Sequence, residues 1–159
     1  MENKFIMFRD GLFNEEVFED LNFYLEKGSS VDFAANVRTA LEIVLKNIII
    51  NKKLVVELNK GNVNASPREI AVGIWKTNLA GLLYQAYASE IIDKLQFKEY
   101  SKIKDVCKNV IHGANSIVLT PDARKELHAN AKIMFEYLTS KNDELRKEWK
   151  TKTNSTTAL

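Results

Sequence analysis

Apolar positions recur at spacings of three and four along most of this chain, the signature of amphipathic helices. In "SSVDFAANVRTALEIVLKNIIINKKLVVELN", Phe33, Val37, Leu41, Val44 and Ile48 keep a 3.6-residue period. Ser29 and Asp32 have the spacing of a capping box at its start. The pattern runs on to about Asn59, with a weak point near Asn51. Upstream, "NEEVFEDLNFYLEKG" predicts a helix over residues 14–27. Asn14 is its cap, Val17, Phe18, Leu21 and Leu25 its stripe, and Gly28 its stop.

The chain's two prolines mark two further helix starts. In "ASPRE", Ser66 is placed to cap, Pro67 to take the first helical position and Glu69 to close a capping box. From there Ile70, Ile74, Trp75, Leu79, Leu82, Leu83, Tyr87 and Ile91 predict one central helix reaching Leu95. Gly73, Ala80 and Gly81 would let neighbours come close. A fourth helix spans about Phe97 to His112, with Tyr100, Ile103, Cys107 and Val110 or Ile111 inward. In "LTPDARKE", Thr120 caps and Pro121 opens a fifth helix running to about Trp149. The stretch "NKGNVNAS" reads as a loop, and "NSIVLT" is a short candidate for extended backbone. The expected fold is all-α, an up-and-down bundle of about five helices over residues 1–150, followed by a polar tail at 151–159.

Composition narrows the function classes. At 159 residues, with 45% apolar and 28% charged side chains, the chain reads as one soluble globular domain. A net charge of +2 argues for no partner by itself. Its N-terminus, "MENKFIMFRDG", is too short and too charged for a signal peptide, and Lys46, Asn47, Asn51, Lys52 and Lys53 interrupt the longest apolar run. No membrane segment is expected. One cysteine, Cys107, excludes an internal disulfide and fits a cytoplasmic setting. With no glycine-rich phosphate loop and no metal-ligand spacing, no cofactor or metal is expected.

Chemistry concentrates in "KNVIHGANS". His112 at a helix end followed by Gly113 reads as termination, a histidine on the negative end of the dipole with glycine supplying the left-handed turn. It reads equally as a general acid or base beside an open loop, because free imidazole titrates near neutrality. Arg38 and Glu42, four residues apart, are a surface pair or a polar pair facing the site or a dimer partner. Cys107 reads as a small buried hydrophobe. It lies five residues before His112, about 140° round the helix beyond a full turn, so the two do not form a thiol–imidazole couple. His128 reads as a solvated surface residue.

The segments "FAANVRTALEIVLKNII" and "IKDVCKNVIHGANSIVLTPDARKELHANAKIMFEYL" resemble HEPN domains, a helical nucleotide-binding and ribonuclease family. The likeness runs from about Phe33 to Leu138: a helix with an Arg–x3–Glu pair, a later helix ending in His, a loop, and a final amphipathic helix. Many HEPN ribonucleases carry Arg, a polar residue, several variable residues and then His. Here His112 matches and the polar residue is Lys108 or Asn109, while Cys107 stands where the arginine would be. The resemblance implies metal-independent endoribonuclease activity or RNA binding. It further implies a homodimer and a bacterial or mobile-element defence or toxin–antitoxin setting. His112 would move the proton, Lys108 and Asn109 would assist, and Arg38 and Glu42 would face substrate. A thiol at 107 cannot hold phosphate as a guanidinium does, which points toward impaired catalysis. The competing class is a non-catalytic helical module for dimerisation or for a protein partner.

Overall fold

A computed structural model describes residue 27 and residues 29–62, 64–113 and 119–157. The described residues form five helices and no strand: α1 (Ser30–Asn59), α2 (Pro67–Trp75), α3 (Leu79–Ala88), α4 (Lys94–His112) and α5 (Pro121–Thr157). The helix expected over residues 14–27 lies, except for Lys27, outside them, as does most of "NSIVLT".

Three side-chain bonds fix how α1 and α5 lie. Arg124 Nη2 donates to Ser30 Oγ at 3.0 Å, Asn51 Nδ2 donates to Asn142 Oδ1 at 2.5 Å, and Lys152 Nζ donates to Asn59 Oδ1. The sequence separations, 94, 91 and 93, hardly change, so the two helices run parallel in one register. The intervening α4 runs the other way. Tyr137 Oη donates to Ile91 O beside its start at 2.7 Å, and past its end Leu119 N donates to Ser30 Oγ at 3.2 Å. Between these helices Phe33, Leu41, Ile48, Leu54, Cys107, Phe135 and Leu138 are fully buried. Burying each large apolar side chain contributes about 1.5–3 kcal/mol. The all-α up-and-down bundle is therefore the observed fold, and among the described residues no helix is long and apolar enough to cross a membrane.

Several expectations are corrected. α1 is unbroken at Asn51, because that side chain is satisfied by Asn142 and does not compete with its own backbone. The single helix expected from Pro67 to Leu95 is two, α2 and α3, separated by Lys76–Asn78. Asn78 has extended backbone and its Oδ1 accepts the Gly81 N–H at 2.8 Å, a cap that starts a new helix. A Cβ on Gly81 would sit 2.8 Å from Thr77 Cγ2, so this glycine makes room for its own cap, whereas Gly73 has nothing within 4 Å. α3 then ends in a left-handed turn at Glu90, φ 63°, with Ile91 N donating to Ala86 O at 2.9 Å.

α4 begins at Lys94, ahead of Phe97, because Asp93 and Gln96 close a reciprocal capping box at 2.8 and 2.9 Å. Ser29 and Thr120 cap as expected, but Ser66 makes no side-chain cap bond. α5 continues to Thr157, so the stretch 151–157 is helical and not a frayed tail.

Candidate functional site

At one end of the bundle the start of α1, the end of α4 and the start of α5 meet. His112 is the last residue of α4 and is exposed, and Gly113 caps the helix at φ 61° as the sequence predicts. Lys108, one turn earlier, and Asn109 are exposed as well. Three of the expected site residues thus share one solvent-facing surface at a helix end.

Cys107 faces the other way. It is fully buried, and burial pushes its thiol up to about 12 against the opposing pull of the Arg38 charge. Its position inside the core, with His112 outside, removes any thiol–imidazole pairing. Arg38 of α1 therefore lies near enough to α4 for its charge to act on the thiol.

The Arg38–Glu42 pair does not form. Glu42 accepts instead from Lys46 Nζ at 2.7 Å. Lys46 also donates to Trp75 O at 3.2 Å and lies 4.9 Å over the Trp75 ring. Lys46 is therefore held in the α1–α2 packing and takes the carboxylate with it. Among the described residues Arg38 is left half-buried with no ion pair. Arg38 and Glu42 accordingly do not form a pair with each other.

Two features of this end were not expected. His128 is half-buried, its ring stacked on Phe33 at 6.3 Å and 26°, and burial followed by the Lys132 charge holds its pKa below 6.5. Ser30, itself buried, accepts from both Leu119 N and Arg124 Nη2, tying the α4–α5 connection to α1. A histidine and an arginine separated by one helical turn on α5 were the available signal.

A groove of about 840 Å³ opens between α4 and α5, floored by Ile103, Leu127 and Met134 and flanked by Val106 and Ile133. Tyr100 lines it, and burial raises that phenol above its usual range. Among the described residues no group of three or more His, Cys, Asp or Glu side chains is placed to hold a metal ion. No family model, no curated protein and no solved structure matches the chain.

Proposed function

We propose that this chain is a HEPN-like RNA-binding protein with a capacity for metal-independent RNA cleavage at His112. The observation that carries this reading is the exposed cluster at the end of α4, His112 with Lys108 and Asn109, facing solvent. The family's missing cation at position 107 is then supplied from α1. In this reading Arg38 and Lys108 hold the scissile phosphate, and the guanidinium binds it with two parallel bonds. His112 takes the proton from the 2′-hydroxyl, whose oxygen attacks phosphorus. The bond to the 5′-oxygen breaks, leaving a 2′,3′-cyclic phosphate and a 5′-hydroxyl. In a symmetric homodimer a second His112 would protonate the departing oxygen, joining two half-sites in one cleft. The lone buried thiol suits a reducing cytoplasm, and a bacterial or mobile-element defence or toxin–antitoxin system is the setting that the resemblance implies.

The test is cleavage of labelled total RNA and of tRNA with EDTA present, comparing wild type, His112→Ala and Arg38→Ala. Size-exclusion chromatography confirms fold and assembly of each. Cleavage by wild type that both variants lose supports the reading. A specific observation favours a second reading, a non-catalytic module: Ile133 is 67% exposed and Val106 39% exposed beside the α4–α5 groove. In that reading the groove receives a second copy of the chain and His112 is a helix cap. Absence of cleavage and of RNA binding, together with a dimer that dissociates on Ile133→Glu, would replace the first reading by the second.

A further inference from the structure

α4 carries more cations on its outer face than the fold uses. Lys94, Lys98, Lys102 and Lys108 are all exposed, and among the described residues none makes an ion pair. At about 100° per residue, Lys94 and His112, eighteen residues apart, point the same way. Lys98 and Lys102 fall about 40° and 80° to one side and Lys108 about 40° to the other. One acid lies within this sector, Asp105, and it is held by Lys104 at 3.3 Å. Glu99 lies about 60° beyond Lys102, and both line the α4–α5 groove. The result is a row of four lysines without ion pairs, about 27 Å long and ending at His112, with Asp105 the one acid among them. Like charges four residues apart destabilise a helix, so the row at 94, 98 and 102 serves no purpose within the folded chain.

One exposed aromatic ring flanks the far end of this row and a second lies one turn from it on the same helix. Tyr84 is 62% exposed and Tyr87 38% exposed, three residues apart on α3. The Tyr87 ring lies 5.2 Å from that of Phe97, the residue before Lys98. A cationic row beside open aromatic faces suits an unpaired strand, whose phosphates meet the charges and whose bases stack on the rings. Double-stranded RNA keeps its bases stacked inside and offers nothing to Tyr84 or Tyr87.

We propose that the outer face of α4 is a track for a single strand of RNA. Lys94, Lys98, Lys102 and Lys108 contact its phosphates and lead it to His112, while Tyr84 and Tyr87 stack its bases. The proposal rests on the RNA reading of His112 and adds the strandedness of the substrate and its path.

The test uses the full chain and a fluorescein-labelled 12-nucleotide oligouridylate with 2′-O-methyl groups, so that binding is read without cleavage. Each phosphate contact on a single strand contributes about 0.7 to the slope of log K against log salt. Four contacts predict an affinity loss of about 50-fold between 50 and 200 mM KCl. The Lys94→Gln/Lys98→Gln/Lys102→Gln variant, keeping one contact, should lose about 3-fold over the same range. Tyr84→Ala/Tyr87→Ala should weaken binding by about tenfold or more at both salts and leave the slope unchanged. A triple variant with wild-type salt dependence, or an RNA duplex bound as tightly as the single strand, would overturn the proposal. Cleavage of unmodified RNA separates the two claims. If wild type cleaves and the triple variant binds unchanged, the track falls and His112 stands; if wild type neither binds nor cleaves, both fall.

Discussion

Two asparagines one turn apart on α1 should respond to the same substitution in opposite directions. Asn51 is buried and donates to Asn142 of α5 at 2.5 Å. Asn47 is equally buried, but its Oδ1 has no hydrogen-bond partner. Replacing Asn51 by Leu, of similar volume, leaves the Asn142 oxygen buried without its donor, a penalty of about 1–3 kcal/mol. Asn142→Leu strands the Asn51 amide by the same argument. With about 2 kcal/mol for each single change and less than about 1 for the double, the coupling is about 3 kcal/mol. Asn47→Leu removes a polar atom that is already unsatisfied, so it should stabilise the fold by about 1 kcal/mol.

Urea unfolding followed by circular dichroism reads all four variants, with an unchanged m-value required so that only stability is compared. At this size each kcal/mol moves the melting temperature by about 2–4 °C, so Asn51→Leu should lower it by about 4–8 °C and Asn47→Leu should raise it. If Asn51→Leu and Asn142→Leu prove additive to within about 0.5 kcal/mol, the α1–α5 bond does not exist in solution and the register drawn from it is wrong.

Three further outcomes follow from particular surroundings. Gly73→Ala, with open space at its Cβ, should raise stability by about 0.5–1 kcal/mol, whereas Gly81→Ala, pressed against Thr77 and Asn78, should lower it; thermal melts of the two variants check the contrast. Cys107, with its thiol pushed up to about 12, is thiolate in only about 1 molecule in 10⁴ at pH 8, so Ellman's reagent should label it only after guanidinium is added, and stoichiometric labelling of the native protein within minutes would contradict its burial. His128 is held below 6.5 by burial and Lys132, so as pH falls the unfolded chain takes its proton first. The stability it contributes is present above about pH 6.5 and is lost as pH falls through the lower folded-state value; urea titrations should show a decline below pH 6.5 that His128→Gln lacks.

What was legible in the sequence depended on whether a signal was local. Ser29, Thr120, Pro121 and Gly113 each act on their own turn, and those helix ends stand where the sequence placed them. The α2–α3 break was hidden because Ile70, Ile74, Leu79, Leu82 and Leu83 keep an apolar period across it, both helices burying the same side. The α3 stop was hidden because Glu90 occupies a left-handed position where glycine is the usual marker. Asn78 and the Asp93–Gln96 box are local signals, but the apolar period from Ile70 to Ile91 runs past Asn78 and up to Asp93 without a gap. At the site, Glu42 has a cation four residues away on either side. Its choice of Lys46 follows the favoured order, acid before base, and is fixed by Trp75 from another helix. His128 was misread because Phe33 lies far away in the chain and stacks on it only in the fold.

The contrast between α1 and α4 is the strongest reason to look for function on α4. Several polar side chains along α1 are tied into the fold: Ser30 to Arg124, Glu42 to Lys46, Lys46 to Trp75, Asn51 to Asn142, Asn59 to Lys152. Arg38, Lys52 and Lys53 of α1 make no ion pair among the described residues, and the Arg38 charge acts on Cys107 of α4. α4 has the reverse character. Its inner face is an ordinary core stripe, while its outer face repeats lysine at four-residue spacing, at about 0.2–0.5 kcal/mol of repulsion for each pair. On α5 acids pair with such lysines, at Lys132–Glu136 and Glu148–Lys152, whereas Glu99 and Asp105 of α4 make no ion pair with Lys94, Lys98, Lys102 or Lys108. Local rules broken without gain to the fold mark places where something outside the fold supplies the missing charge. On α4 the lysines without ion pairs run along the helix and end at His112, which is the arrangement the proposed RNA track uses.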